Sequence, residues 1–313
     1  MKTSLKMPKP FLLHKKVASA FPEKFKVKVV YHYTTTPVAE IFLDSRKAQL
    51  YCTNAKALND DQEYKLGIEY AEAHIAEVMN LDAEVISEVK DMLKIVKDND
   101  YRIPWVMSFS SARDLLSQWR AYTDKKNGGF AIGFSFAKVE ELVERIVIEK
   151  RKKSKMQYIL HFLPCFYLNY ESPDDMLEVD KFFKLIFKEY YTDVISKMVD
   201  ISNPHAYAYS IVSFICIFAA FIKHSAFSEE REYRLMLQVL DKKYEKNVEI
   251  VGGKPRLRIS KNLKSNDVQS LISELWISPH GDVELLKSLG RYMNIREGSK
   301  IEMYNSNLPF NGK

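Results

Sequence analysis

Alternating apolar and polar residues predict β-strands in three parts of the chain. The first predicted strand is Lys26–Tyr33, which is rich in β-branched and aromatic residues. Trp105–Ser110 and Phe130–Phe136 have the same character, and the last third returns to strands at Glu232–Leu240 and Glu274–Ser278. Strands near both ends around a helical middle favour one α+β core with a helical insertion over two successive domains.

Apolar residues recur at helical spacing in the long stretches between these strands. Residues 62–97 have a helical pattern with a break near Asn80, and residues 176–224 are largely helical in pattern. The predicted organisation is a basic N-terminal tail (1–25), a single α+β domain (26–300) with helical insertions at about 62–100 and 138–224, and a C-terminal tail (301–313).

One uncharged run, Ala206–Ile222, has 17 residues and reaches the lower limit of a membrane span. Two tyrosines and two serines dilute its apolar character, charged residues resume at Lys223, and no second run of this kind exists. A run at this limit is more often a buried core helix. We therefore predict a core helix here and expect no membrane partner.

Composition excludes several classes of site. Hydrophobic residues make up 46% of the chain and charged residues 28%, as in ordinary globular proteins. Glycine makes up about 3% of the chain (10 of 313 residues), less than half of its usual share of ~7%. The chain has no GxGxxG, GxxxxGK[ST] or GxSxG motif. We therefore expect no phosphate-binding loop built on glycine-rich turns.

Cysteine spacing and the N terminus indicate a cytoplasmic protein without a structural metal. Cys52, Cys165 and Cys216 lie far apart, and neither a CxxC pair nor an HExxH motif accompanies them. The basic N terminus has an apolar stretch of only Phe11–Leu13, too short for a signal peptide. The net charge of +6 suits an anionic ligand without requiring one.

Polar side chains gather at four strand ends, where a rigid sheet can orient them. The four clusters are Tyr31–Thr34, Leu58–Asp60 with Glu63, Ser108–Ser110 with Gln118–Tyr122, and Ser228–Arg234. If the late strand is regular, Glu230, Glu232 and Arg234 point to one face. Burial of such a row of charges is costly unless a ligand or internal pairing compensates it.

The motifs from Tyr31 to Asp282 resemble those of a bacterial domain-of-unknown-function family, DUF2971. They are YHYT, LND with a glutamate, FS, WRAY, GFAIGF, E-x-EYR and WISP, in that order. Phe227 is a departure, because the family often has tryptophan there. The family has no settled activity, but some members occur near phage-defence genes. The resemblance therefore implies a toxin or antiviral defence role.

The same residues resemble, more loosely, the ADP-ribosyltransferase fold, a split antiparallel β-sheet that holds NAD as substrate. His32, Ser108–Ser110 and Glu230 to Glu232 occur in the order in which those enzymes place an early histidine, a middle serine strand and a late glutamate. The resemblance implies that Glu232 stabilises the oxocarbenium-like sugar, that Glu230 orients the acceptor and that His32 with Thr34 holds the ribose. The other implied NAD-binding residues are Tyr31, Tyr33, Asn59, Ser108, Ser110, Trp119, Arg120 and Arg234.

Each assignment has a structural alternative. His32 can be a hydrogen-bonded structural residue, and the two late glutamates can pair with Arg231, Arg234 or Lys223. Asn59 and Asp60 followed by Glu63 fit a helix cap better than a catalytic site. Trp119 lies in an apolar helical stripe typical of a core.

Two other functions stay open. One is a non-catalytic nucleic-acid or nucleotide-binding module that uses the basic run Lys150–Lys155, although a solvated loop explains that run better. The other is a metal-dependent nuclease built on Asp60, Glu63 and the late glutamates. Possible partners are a nucleic-acid or protein acceptor and a cognate antitoxin or defence protein.

Overall fold

A computed structural model describes residues 13–44, 48–58, 62–99, 103–152, 158–191, 200–239, 247–251, 253–259, 263–297 and 301–309. The strands are β1 (Val29–Thr35), β2 (Tyr51–Asn54), β3 (Trp105–Ser110), β4 (Gly129–Ser135), β5 (Tyr158–Pro164), β6 (Phe166–Leu168), β7 (Ile222–His224), β8 (Glu232–Val239), β9 (Val248–Val251), β10 (Lys254–Arg258), β11 (Ile272–Ile277) and β12 (Glu302–Asn305).

The helices lie mainly between β2 and β8. They are α1 (Leu13–Ala20), α2 (Thr36–Leu43), α3 (Gln62–Met79), α4 (Ala83–Asn99), α5 (Leu116–Tyr122), α6 (Phe136–Lys152), α7 (Pro173–Lys184), α8 (Pro204–Ala219), α9 (Ser265–Gln269) and α10 (Val283–Glu297). A π-helical segment (Leu185–Tyr191) continues α7, and 3-10 turns occupy Pro22–Phe25, Ala55–Ala57 and Ser225–Glu230.

The main sheet forks at β3. One edge of β3 pairs with β8 along its whole length, from Trp105 opposite Leu237 to Ser110 opposite Glu232. The other edge pairs with β1 only at Ser110 and with β2 only at Trp105 and Val106. The sheet therefore divides into an arm of β1, β4, β11 and β12 and an arm of β2, β10 and β9, with a gap beside the middle of β3.

The expected α+β class is confirmed, with a mostly antiparallel sheet. Among the described strands, only the β11–β12 and β6–β7 pairs are parallel. β8 is buried along its whole length because β3 and β5 cover its two edges. A strand buried in this way provides a fixed platform for side chains at its first residues.

The uncharged run identified in the sequence forms α8, which is buried almost throughout. A helix that is apolar on all sides is stable only inside a core, and α8 packs against α3 and α4 there. Gly67 of α3 allows the closest approach, since a Cβ at that position would lie 2.5 Å from the Cα of Ala219. Within the described part of the chain, no helix is long and apolar enough to cross a membrane.

Three segments carry regular structure that the sequence pattern does not predict. Residues 13–20, assigned to a basic tail, form α1, whose Leu13 and Val17 are fully buried while Lys15 is exposed. β12 lies in the expected C-terminal tail and pairs with β11. β5 lies in the expected helical insertion, yet it extends the main sheet beside β8. Short or amphipathic elements of this kind are specified by the surface they pack against.

Candidate functional site

A cavity of about 670 Å³ lies at the fork of the sheet. Its polar lining comes from both arms, from β3 and from the entry to β8, and includes His32, Thr34, Tyr51, Thr53, Ser108, Lys223, Glu230, Glu232, Arg234, Lys254 and Arg256. A smaller pocket of about 50 Å³ shares His32, Ser108, Glu230 and Glu232 with it. Two strands that diverge from one edge leave side chains and backbone groups facing a shared gap, which explains the position of the cavity.

His32 and Glu232 reach this cavity from opposite faces of the sheet. Tyr31, Ser110 and Glu232 are cross-strand partners, so their side chains share one face. His32 follows Tyr31 and therefore points to the other face. At the fork, no strand pairs with the middle of β3 on this edge, so the two faces of the sheet are open to each other there. As a result, His32 and Glu232 line the same cavity.

Glu232 is the centre of a buried ion-pair cluster. Its Oε1 accepts a hydrogen bond from Arg234 Nε at 2.7 Å, and its Oε2 accepts from Lys223 Nζ at 2.7 Å. Lys223 Nζ also donates to Glu230 Oε2 at 2.6 Å. The row of late charges is therefore compensated internally, with two carboxylates matched by two cations.

The entry to β8 differs from the expected regular strand. β8 begins at Glu232, because Arg231 has a left-handed backbone with φ of 44°. Glu230 ends the preceding 3-10 turn, yet it reaches the same Lys223 as Glu232. The backbone here is held by Ser110, whose Oγ donates to the Glu230 carbonyl at 2.6 Å.

Glu232 is ionised at every physiological pH. Burial alone would raise the pKa of Glu232, but the charges and hydrogen bonds of Arg234 and Lys223 outweigh burial and lower it to about 2. Arg234 is fixed as well, because its Nη1 donates to the carbonyl of Ala220 at 2.8 Å. Glu232 is thus a rigid carboxylate whose two oxygens are already engaged by cations.

His32 presents a free lone pair to the cavity in its neutral form. The Ser108 carbonyl can only accept, so the 2.9 Å contact with Nδ1 requires the hydrogen on Nδ1 and leaves the lone pair on Nε2. Burial lowers the pKa of His32, and the charge of Arg256 lowers it further. Phe42 and Phe109 hold the ring at centroid distances of 5.7 and 5.9 Å.

The hydroxyl groups of Tyr31 and Tyr33, two residues expected to bind NAD, make hydrogen bonds within the protein. Both lie at the smaller pocket, but the hydroxyl of Tyr31 donates to Glu274 at 2.6 Å. The hydroxyl of Tyr33 donates to the carbonyl of Ala112 and accepts from the amide of Leu115. These hydroxyl groups are committed to protein partners, so they do not present a free donor to a ligand.

Ser110, Trp119 and Arg120, which are expected to contact NAD, are not among the residues that line the larger cavity. Ser110 is 1% exposed, and its hydroxyl donates a hydrogen bond to the backbone carbonyl of Glu230. Trp119 is fully buried, and its ring nitrogen donates to Asp114 at 2.8 Å. The apolar stripe of α5 therefore packs into the core at this residue. Arg120 is exposed on α5. Thr34, Ser108 and Arg234 do line the cavity.

Several predictions fall where the structure gives no side-chain description. Asn59 and Asp60 lie outside the described residues, and of Glu63 only the backbone in α3 is described. The basic run begins in the last turn of α6, and residues 153–155 lie outside the described residues. In the described ranges, no group of three or more His, Cys, Asp or Glu residues could hold a metal ion.

Several side chains that line the cavity received no ligand role from the sequence. Arg256 and Lys254 come from β10, Tyr122 from the end of α5, and Phe227 from the turn before β8. The ring of Phe227 lies 4.9 Å from Lys223 Nζ, so it covers the ion-pair cluster. Alternation in β10 shows that Lys254 and Arg256 share a face, but no local signal indicates that this face adjoins His32.

Comparison with protein families gives one match. Residues 118–235 match the family model described as Protein of unknown function (DUF2971). This region contains the WRAY helix, the GFAIGF strand and the E-x-EYR entry to β8, while the YHYT and LND motifs precede it. No curated protein and no solved structure shows significant similarity to the chain. The matched region, residues 118–235, supplies both glutamates and both cations of the buried cluster.

Proposed function

We propose that this chain is an ADP-ribosyltransferase-like enzyme that cleaves NAD or transfers its ADP-ribose. The observation that carries the proposal is that His32 and Glu232 line one cavity although 200 residues separate them in the sequence. Groups from distant strands that converge in this way are expected where a ligand is shared. The forked antiparallel sheet adds support, because the resemblance implies NAD binding in a split sheet.

The proposed reaction breaks the bond between the nicotinamide nitrogen and C1′ of the ribose. The electron pair of that bond leaves with nicotinamide, which departs as a neutral molecule, and positive charge develops on the sugar. Glu232 stabilises this charge, because it is a fixed carboxylate that stays ionised. Water or an acceptor hydroxyl then bonds to C1′ and releases its proton.

His32, Thr34 and Glu230 position the reactants in this mechanism. The lone pair on Nε2 of His32 accepts a hydrogen bond from a ribose hydroxyl, and Thr34 supplies a second contact at the same wall of the cavity. Glu230 has a side chain 15% exposed, so it is more accessible than Glu232 and is suited to orient the acceptor.

The proposed cellular role is that of a cytoplasmic effector in a bacterial toxin or phage-defence system. This role rests on the family resemblance. A nucleic acid, a protein or water serves as the acceptor, and a cognate antitoxin or defence partner controls the activity.

A second candidate is a nucleotide-binding module without catalytic activity. The observation in its favour is that both oxygens of Glu232 are already occupied by Arg234 and Lys223. In this alternative, the carboxylate of Glu232 anchors a rigid binding wall and takes no part in a reaction. The nucleic-acid-binding and nuclease alternatives have no comparable observation in their favour.

The test uses the full-length protein with NAD labelled in the adenine ring. We expect release of nicotinamide and loss of NAD in purified reactions or in bacteria that express the protein, with label on protein, RNA or DNA if transfer occurs. Phage or a candidate partner is supplied as the trigger. NAD that stays intact and unbound under all of these conditions contradicts the proposal, whereas NAD that binds without turnover supports the binding-module alternative.

A further inference from the structure

The arm of the fork opposite β1 carries positive charge into the cavity. Four cationic and two anionic side chains line it. Glu230 and Glu232 are the anions, and Lys223 and Arg234 already neutralise them. The other two cations of the lining, Lys254 and Arg256, come from β10.

Arg256 differs from its neighbour Arg258 on the same face of β10. The guanidinium of Arg258 is paired, since Nε lies 2.9 Å from Glu249 Oε1 and 3.0 Å from the hydroxyl of Tyr51. Nε of Arg256 is buried and has no hydrogen-bond partner among the described residues. Glu249 is the cross-strand neighbour of Arg256, yet its carboxylate is committed to Arg258.

A buried guanidinium donor without an acceptor is costly, and a ligand acceptor would remove the cost. The planar guanidinium can donate two parallel hydrogen bonds to a phosphate, a geometry that lysine cannot reproduce. Thr53 is the cross-strand partner of Arg256 on β2 and also lines the cavity, so its hydroxyl lies beside the same position.

We propose that Arg256 binds a phosphate group of the ligand, with Lys254 and Thr53 beside it, so that the cavity takes a diphosphate-bearing nucleotide in one orientation. The diphosphate lies against β10, and the sugar to be cleaved lies toward His32 and Glu232. The identification of the ligand as NAD rests on the proposed function, but phosphate recognition by Arg256 does not. The charge of Arg256 also contributes to the lowered pKa of His32, which is consistent with their facing one cavity.

The experiment measures binding of inorganic pyrophosphate, ADP-ribose and nicotinamide riboside to the full-length protein and to R256Q. We expect R256Q to weaken pyrophosphate and ADP-ribose binding by about 10- to 100-fold, because hydrogen bonds to charged groups are lost. Nicotinamide riboside, which has no phosphate, should bind equally to both proteins. R145Q is the control, since it removes an arginine charge that pairs with Asp267 away from the cavity, and it should bind all three probes as wild type does.

R256K covers the case in which R256Q does not fold. It keeps the charge but loses the two-point geometry, and we expect an intermediate affinity for pyrophosphate. Wild-type affinity of R256Q or R256K for pyrophosphate and ADP-ribose overturns the proposal, as does an equal loss in R145Q. If pyrophosphate binds through Arg256 while NAD is neither bound nor cleaved, the NAD function fails and the phosphate site stands.

Discussion

Lys223 and Glu232 form a buried ion pair in which Nζ lies 2.7 Å from Oε2, with side chains 4% and 5% exposed. The same ammonium lies 2.6 Å from Glu230. One lysine therefore joins the two glutamates proposed to act on substrate and acceptor. Removal of one partner from a buried pair leaves a charge without compensation. Activity and stability must therefore be measured together at this site.

Glu232→Gln should abolish most of the activity. The substitution preserves size but removes the charge that stabilises the sugar cation, which typically costs ~10²- to 10³-fold in rate. We also expect the free energy of unfolding to fall by about 3 kcal/mol, because Lys223 and Arg234 then share a single carboxylate. The measurements are NAD turnover per folded molecule and chemical denaturation.

The matched control is Glu274→Gln. Glu274 accepts hydrogen bonds from Tyr31 and Trp276 and does not line the cavity, so glutamine can keep its acceptor role. Its turnover should stay near wild type. A Glu232→Gln protein that is folded and still cleaves NAD at the wild-type rate would rule out Glu232 as the catalytic carboxylate.

Glu230→Gln should reduce transfer to a macromolecular acceptor more than hydrolysis. Glu230 pairs with Lys223, and its side chain is three times as exposed as that of Glu232. Glutamine can still accept from Lys223, so the loss of stability should be smaller than for Glu232→Gln. The ratio of label on protein or nucleic acid to free ADP-ribose is the readout. An unchanged ratio would show that Glu230 does not orient the acceptor.

Acid should remove the stability that Glu232 contributes. The pKa of Glu232 is about 2 in the folded chain and ~4.3 for an unfolded glutamate, so the unfolded state binds more protons between these values. The contribution is complete above about pH 4.3 and is lost as the pH falls toward 2. The stability difference between wild type and Glu232→Gln, measured by urea denaturation, should therefore shrink from pH 6 to pH 3. A constant difference would contradict the assignment.

Local pattern predicted the elements that hold the site but not the pairing between them. The alternation of β1 and the E-x-E spacing before β8 are short-range signals, and both glutamates do reach Lys223. The same alternation places Tyr31 and Tyr33 on one face of β1 and His32 and Thr34 on the other. That distinction was available from the sequence.

The side of the cavity that β10 forms was not predictable in this way. Arg256 lies in a short stretch, KPRLR, whose pattern resembles an ordinary exposed edge strand. Its proximity to His32 depends on the pairing of β10 with β2 and on the fork at β3, which are long-range contacts. Ser110 shows the same dependence on long-range contacts. Its hydroxyl donates to the Glu230 carbonyl, and a small polar residue at a strand end does not reveal such a distant backbone partner.

Neutralising lysines of the basic run Lys150–Lys155 should show whether that run contributes to function. If the run is a solvated loop, as its composition predicts, Lys152→Gln with Lys153→Gln should leave the melting temperature and cellular activity unchanged, because a solvated charge usually contributes within about 0.5 kcal/mol. Lys125→Gln with Lys126→Gln is the control, since both lysines are exposed in the turn before β4. If the run instead binds nucleic acid, affinity falls and its salt dependence becomes shallower in the first variant only.

Glu140→Gln should stabilise the protein at alkaline pH. Burial, with a smaller effect from the charge of Glu144, raises the pKa of Glu140 to about 7. The folded state therefore binds more protons than the unfolded state between about pH 4.3 and 7, and stability falls as the pH rises through that window. Glutamine removes this penalty, so the variant should gain about 1 to 3 kcal/mol at pH 8 and little at pH 4.

Glu141→Gln, at the exposed neighbouring position, is the control and should show no such pH-dependent gain in urea denaturation. Equal gains at both pH values would mean that the carboxyl of Glu140 does not titrate in this range.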